Sequence, residues 1–396
     1  MKMNSKIKHT AFYATLKREL TRMVSRRLYF GVCIVLPLFC IIFMSTIFGT
    51  GGMENIPVGI VDLDQTVTSR EITRTLGTVS TCDVQKTFSD PLAARNAVLR
   101  KEIYAYIVIP NNFESDLSGG RNASIPYYIH YALLSVGIEV EAALEAVFAE
   151  IALAPVVVSG SVFGTNPEQV ETVLLPANME AHPLFNPSLD YSIYLTNPFF
   201  FVLFQVLILL ITSYIIGGEI KFKTWQSWME AANGNIYVAV FAKLLPYTII
   251  FIIMGIFANF VIFDLLHIPM ESSFFYVNMA TVIFVIATQA LAVFVFSLFP
   301  ALSIMISILS MVGSLGATLS GVTFPVEYMH TPIYYLSHVF PIRHFVNVIQ
   351  NFLYGNYAFA YVWQDTVILL IFIIPALLIL PHLKRAILSR KYEDIE

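Results

Sequence analysis

Six stretches of this chain are apolar over about the length a helix needs to cross a bilayer: residues 28–48, 198–217, 238–263, 275–299, 301–320 and 364–383. A helix rises about 1.5 Å per residue, so roughly 20 residues span the ~30 Å hydrocarbon layer. In lipid each backbone N–H and C=O has to be satisfied within such a segment, which makes the runs helices. Composition agrees. Of 396 residues 57% are hydrophobic and 13% charged, about half the charge of a soluble domain. Too little polar surface remains to cover that interior in water, so the sequence describes an integral membrane protein.

Charge gives the orientation. Basic residues crowd the start (Lys2, Lys6, Lys8, Lys17, Arg18, Arg22, Arg26, Arg27), recur around 221–243, and return at Lys384, Arg385, Arg390 and Lys391. Residues 49–197 carry 17 acidic and 7 basic side chains. The positive-inside rule then puts both termini and the loop 218–237 in the cytoplasm and 49–197 outside. Within 5–27, Phe12, Leu16, Leu20 and Met23 recur at helical spacing between basic residues, the pattern of an amphipathic helix on the inner surface. A plain basic flank is the competing reading. Pro37 falls inside the first run and predicts a kink there. Cys33 and Cys40 lie in that run, and Cys82 reads as a buried free thiol.

The long insert after the first span reads as a small α/β domain. IPVGIVDLD (56–64), AYIVIP (105–110) and IPYYIHY (125–131) have strand character, and helices are expected from Ser69, over 88–103 and over 133–155. Ser89 or Asp90 precedes Pro91 as an N-cap precedes a first-turn proline. Asp62 and Asp64 resemble a metal-binding pair, but at a strand end a turn or cap role fits them better. Asn122-Ala123-Ser124 has the glycosylation spacing and receives no function. The proline-containing stretch 156–197 is a return linker.

Two further stretches stand out. Residues 320–355 lie between two spans yet hold Pro325, Pro332 and Pro341, three histidines, and many Phe and Tyr. No single helix passes through those prolines, and aromatic rings settle at headgroup depth. The segment 321–363 is therefore expected as short broken helices at the outer leaflet, beside a wet cavity or exit path. The other stretch, 217–247, begins with Glu219 and basic residues, carries a helix-like piece with Trp225 and Trp228, and turns at Asn233-Gly234-Asn235. Lying on the inner surface, it would offer an aromatic and charged face to a soluble partner; an interfacial anchor is the plainer alternative.

Chemistry of other kinds finds little support. No GxxxxGK[ST] loop is present, so an ATP-driven process needs its motor on a separate polypeptide. His330, His338 and His344 do not share a helix face, and interfacial hydrogen bonding suits them better than a metal. Glu219, Asp264, Arg343 and Asp365 fall near span ends, where charged side chains reach water. Gln205, Asn259, Thr288 and Gln289 lie inside spans as candidates for interhelical hydrogen bonds.

Four stretches resemble the permease subunits of ATP-binding cassette exporters of the second integral-membrane type, closest to the drug-export branch with its large outer domain. They are KRELTRMVSRRLYF; IPVGIVDLDQTVTS with AYIVIPNNFESDLSGG; GGEIKFKTWQSWMEAANGNIYVAVFAKLLPY; and GVTFPVEYMHTPIYYLSHVFPIRHFVNVIQNFLYG. The third sits where that family has its coupling helix, with Glu219, Thr224, Lys243 and Pro246 at matching places. Its entry, Lys221-Phe222-Lys223-Thr224, departs from the family's pattern.

The resemblance implies a mainly α membrane protein of six transmembrane helices, with an extracytoplasmic α/β domain between helices 1 and 2. Its parts would be a surface helix (1–27), helix 1 (28–48), the outer domain (49–197), helices 2–5 (198–320), the broken outer segment, and helix 6 with the tail (364–396). It implies a non-enzymatic permease exporting a lipophilic or amphipathic compound by alternating access. ATP and Mg would bind the partner ATPase, and no cofactor or metal this chain. Glu219, Lys221, Lys223, Thr224, Trp225 and Trp228 would couple to that ATPase. Phe324, Pro325, Met329, Pro341 and Arg343 would form the exit gate or cavity. Further partners are a second copy or a paralogous permease and the lipid bilayer of a bacterial inner membrane, with a periplasmic adaptor left open and no nucleic acid. A receptor or scaffold whose outer domain binds a ligand without transport is the alternative.

Overall fold

The apolar runs become helices wherever the structure, a computed structural model, describes them: residues 2–25, 29, 31–47, 53–118, 124–131, 135–148, 190–354 and 362–390. The chain divides into two compact units, Met1–Gly49 with Tyr191–Glu396, and Thr50–Asp190.

The first unit opens with α1 (Lys2–Ser25), a π-helical turn at Gly31–Val35 and α2 (Leu36–Ile47). The wide turn lies just before Pro37, whose ring has no room for the carbonyl four residues back. Among the described residues four helical stretches are long and apolar enough to cross a membrane: Ser192–Lys221, Ile236–Leu265, Phe274–Leu298 and Trp363–Leu388. The two other apolar helices, Gly31–Ile47 and Leu302–Thr318, are shorter. They occupy the positions of the expected first and fifth spans, and the neighbours of the first (26–28, 30 and 48–50) lie outside the described residues. The last span is broken at Phe372. Pro375 explains the break, because its ring obstructs the carbonyl of Ile371.

The core of this unit is aromatic. Phe200, Phe201 and Phe204 of α7 (Tyr191–Lys221) meet Phe251, Phe284 and Phe345 from three other helices. Phe284 and Phe345 stack at 4.3 Å, and Phe201 lies 4.6 Å from Phe345. Each such pair adds about 0.5–1.5 kcal/mol beyond area burial. The helix Leu302–Thr318 approaches α7 closely because Gly313 faces Val206 and Gly316 faces Gln205, where a Cβ would sit 2.9 and 2.7 Å from them. Small residues at such contacts let helix backbones meet.

In the second unit, β1 (Ile56–Asp62), β2 (Cys82–Phe88), β3 (Ala105–Ile109) and β4 (Tyr127–Ile129) form one sheet in the order β2-β1-β3-β4. The first three strands are parallel and β4 is antiparallel to β3. Strand period two sorts the faces. Ile56, Val58, Ile60, Ile107 and Ile109 pack with α3 (Val67–Leu76) and the helix at 135–148, whereas Val61, Tyr106 and Val108 pack with α4 (Pro91–Leu99).

Several local expectations meet their outcome here. Asp90 is the N-cap before Pro91, its carboxylate accepting the Leu92 amide at 3.0 Å. The helix expected from Ser69 begins at Val67 under a Thr66 cap. CDVQKTF was not read as a strand, being polar and on the sheet edge; it is β2. Asp62 and Asp64 serve turns and caps. Asp62 accepts the Asp64 and Gln65 amides at 3.1 and 2.9 Å; Asp64 caps α5 (Phe113–Ser118) through the Phe113 and Glu114 amides at 3.1 and 3.0 Å. Cys82 is a buried free thiol whose pKa burial pushes up to about 11. Of the helix expected over 133–155, residues 135–148 are helical; its ends, Asn122 and Ala123, and 156–189 of the return linker lie outside the described residues.

Candidate functional site

The short helix that follows α7 is set by local chemistry. Lys223 adopts φ 55°, reversing the chain, and the Thr224 amide returns to the Glu219 carbonyl at 2.9 Å. Helix α8 (Trp225–Ala231) follows, and Gly234 at φ 69° lets its amide close on the Met229 carbonyl at 2.8 Å. Asn235 then caps α9 (Ile236–Phe260), accepting the Tyr237 amide at 3.0 Å.

That reversal delivers Glu219 into a buried ion cluster. Arg18 grips the Glu219 carboxylate with both terminal nitrogens, at 2.8 and 2.9 Å. Arg22 bonds the same carboxylate, Lys243 lies 2.7 Å from it, and the Thr224 hydroxyl donates to it at 2.5 Å. Lys243 also reaches Glu19 at 2.5 Å, and Tyr247 donates to the other Glu19 oxygen at 2.8 Å. Glu19, Glu219 and Lys243 are essentially unexposed. Three basic groups thus face two carboxylates, and the burial of Glu19, Glu219 and Lys243 is tolerated only because each is paired and hydrogen-bonded. Such a cluster holds no free acid or base; it ties α1, the end of α7, α8 and α9 into one body.

Two expectations are corrected here. Glu219 was placed where charged side chains reach water, but its partners neutralise it inside the protein. Trp225 and Trp228, expected to face a soluble partner or the headgroups, are 8% and 0% exposed. The Trp228 indole donates to the Ala239 carbonyl at 3.1 Å, and Arg390 lies over the Trp225 ring at 5.7 Å. What the segment exposes is mostly polar, Lys221, Lys223, Gln226, Ser227 and Glu230, with Phe222 exposed among them. Toward the protein α1 presents Ala11, Thr15 and Glu19, while Leu20 is exposed and Phe12, Leu16 and Met23 are half-buried. Arg18, Glu19, Arg22 and Tyr247 were not singled out as site residues; the available signal was the i, i+4 recurrence of 11, 15 and 19 beside basic 18 and 22.

Away from the cluster, each proline of 320–355 begins an element. Pro325 precedes the 3-10 turn Val326–Tyr328, Pro332 stands in the first turn of α12 (Thr331–Ser337), and Pro341 opens α13 (Pro341–Tyr354). Proline suits first-turn positions because no helical partner awaits its missing N–H. Phe324 is 51% exposed, so it does not serve as core in this chain; Met329 packs half-buried on the core and Pro341 is buried. Arg343, expected to reach water, is 7% exposed. With Pro325 it lines a cavity of about 240 Å3.

Two of the three histidines, His338 and His344, hydrogen-bond. His344 Nδ1 lies 2.6 Å from Asp365 and its Nε2 3.2 Å from the His338 carbonyl; His338 meets the Tyr334 carbonyl at 2.9 Å. Burial draws the His338 pKa down. Among the described residues no group of three or more metal-binding side chains occurs. Asn259 bonds Asn197, Asn278 and Thr281, each at 3.0 Å; Gln289 accepts from Thr248 at 2.7 Å, and Gln205 accepts the Ile342 amide at 3.2 Å. Thr288 Oγ1 has no partner among the described residues.

Long apolar helices packed on an aromatic core, with ions sequestered at one end, define a membrane-integrated protein. A family described as ABC-2 family transporter protein matches residues 27–380, and the chain belongs to it. Within that family it is a permease, the membrane subunit of an ABC transporter that works with an ABC ATPase. No curated protein matches the chain.

Proposed function

We propose that this permease exports a lipophilic or amphipathic compound by alternating access, powered by ATP and Mg on the partner ATPase. The observation that carries this reading is the buried cluster of Arg18, Glu19, Arg22, Glu219 and Lys243. A rigid body made of α1, α8 and the ends of two spans would carry a push on α8 into the membrane helices without dissipating it in loops. The exposed face of α8 (Gln226, Ser227, Glu230) with Lys221 and Lys223 is then the surface for the ATPase. Glu219, Thr224, Trp225 and Trp228 stiffen it from behind.

The remaining assignments belong to the same reading. The chain has six spans, counting the shorter Gly31–Ile47 and Leu302–Thr318, and makes half of the membrane unit with a second copy or a paralogous permease. The charge bias assigns 49–197, as an extracytoplasmic α/β domain, to the outer side of a bacterial inner membrane, with both termini cytoplasmic. The broken segment 321–363 lies at the outer leaflet, where Phe324, Pro325, Met329, Pro341 and Arg343 border the exit. In this reading the chain belongs to the drug-export-like branch.

Inverted vesicles carrying the permease with its ATPase test this. On ATP addition a lipophilic dye should accumulate inside. Dye uptake independent of ATP, or release on ATP addition, overturns the export reading.

A further inference from the structure

Arg343 carries more hydrogen-bonding capacity than its neighbours use. A guanidinium has five N–H groups. Its Nε donates to Ser337 Oγ at 3.1 Å, and its Cζ lies 5.6 Å from the centre of the Tyr334 ring. The nearest carboxylate oxygen, on Asp365, is 3.7 Å from Nη1, too far for a hydrogen bond. Asp365 is occupied by His344 at 2.6 Å and by the Asn347 amide at 2.5 Å. The four terminal N–H groups of Arg343 therefore have no hydrogen-bond acceptor among the described residues.

Arg343 lines the 240 Å3 cavity together with Gln350 and Glu327. The Gln350 amide is half-buried and without a hydrogen bond among the described residues; Glu327 is exposed and equally unengaged. The space holds several waters, enough for a small polar headgroup.

We propose that this cavity binds a zwitterionic amino-phosphate headgroup, its phosphate on Arg343 and Gln350 and its ammonium on Glu327. A guanidinium fork fits two phosphate oxygens. A purely anionic head would meet Glu327, and a purely cationic one Arg343; only a head with both charges satisfies both walls. Phe324 and Tyr328, sequence neighbours of the lining residues Pro325 and Glu327, are 51% and 80% exposed and offer apolar surface to attached chains. The lipid source of this head rests on the outer-leaflet placement of 321–363; the charge pairing does not.

The full chain in detergent, without ATPase or ATP, is titrated by calorimetry with dihexanoyl phosphatidylethanolamine, dihexanoyl phosphatidylglycerol and O-phosphoethanolamine. Export plays no part in the readout, so either reading can fail alone. The ethanolamine lipid should bind at least about tenfold more tightly than the glycerol lipid. Glu327→Gln, at an exposed site, should erase that preference, weakening the ethanolamine lipid and relieving the repulsion of the glycerol lipid. Arg343→Gln should remove binding of both; because it also breaks a buried ion pair, Gln350→Ala provides the second variant and should weaken both several-fold. O-phosphoethanolamine binding as tightly as the lipid identifies a soluble ligand, and binding only with chains identifies a phospholipid; both support the headgroup site. Equal affinity of the parent for the two lipids, no binding of either zwitterion, or an unchanged preference in Glu327→Gln overturns it.

Discussion

Lys243, on a membrane-spanning helix, donates to Glu19 at 2.5 Å across 224 positions of sequence. Neither side chain is exposed by more than 1%. The contact pins the N-terminal helix to the base of the bundle, and its removal should be felt as stability before it is felt as function. Lys243→Met leaves Glu19 buried beside Tyr247 alone, at an expected cost of about 3–5 kcal/mol. Combining it with Glu19→Gln removes the stranded charge. The double variant should melt higher than Lys243→Met alone, read by thermal unfolding in detergent; equal melting temperatures would show that Glu19 is not the stranded group.

The Trp pair and the polar face of α8 should separate structure from coupling. Trp228→Ala empties a fully buried site and should cost roughly 3–5 kcal/mol, seen as low membrane yield. Gln226→Ala with Glu230→Ala changes exposed positions, so yield and melting should match the parent while substrate-stimulated ATP turnover of the complex falls. Unchanged turnover in that double variant argues against α8 as the docking face.

Orientation is open to labelling. Cys33, Cys40 and Cys82 are buried, and burial pushes the Cys82 thiol up to about 11, so background reaction with an impermeant maleimide should be slight. In intact spheroplasts Ser115→Cys should react and Ser389→Cys should not. The reverse pattern inverts the topology.

Asp64 links stability to pH. Burial would raise its pKa, but the Glu114 amide, the Thr66 hydroxyl and the Phe113 amide outweigh it and hold the carboxyl below its usual range. A lowered folded pKa contributes stability above the unfolded value and loses it as pH falls through the folded one. Asp64→Ala should destabilise the sheet unit by about 0.5–2 kcal/mol at neutral pH. The gap should narrow on acidification below the ordinary Asp range; a gap constant with pH would assign the effect to packing.

Phe324→Ala tests the gate. The side chain is 51% exposed, so its loss should leave yield and melting near the parent's. If two copies close an exit with it, basal ATP turnover should rise and depend less on substrate. Parent-like stimulation would remove Phe324 from the gate.

The sequence by itself determined what depended on composition and local pattern. The apolar runs, the strand at 56–62, the Asp90 cap before Pro91 and the proline-divided segment 320–355 follow from solvation and backbone geometry, which act on neighbouring residues. It also marked Glu219 and Arg343, because a charge next to an apolar run is conspicuous in any reading. What it could not decide is which way those side chains turn. Glu19 is one acid on a basic helix, and nothing local says that it turns inward. Its burial is fixed by Lys243 and Tyr247 more than 220 residues away, because a buried carboxylate has to meet buried partners. Trp225 and Trp228 likewise went inward because a carbonyl at Ala239 and the guanidinium of Arg390 were there to receive them. Only the tertiary structure brings such partners together.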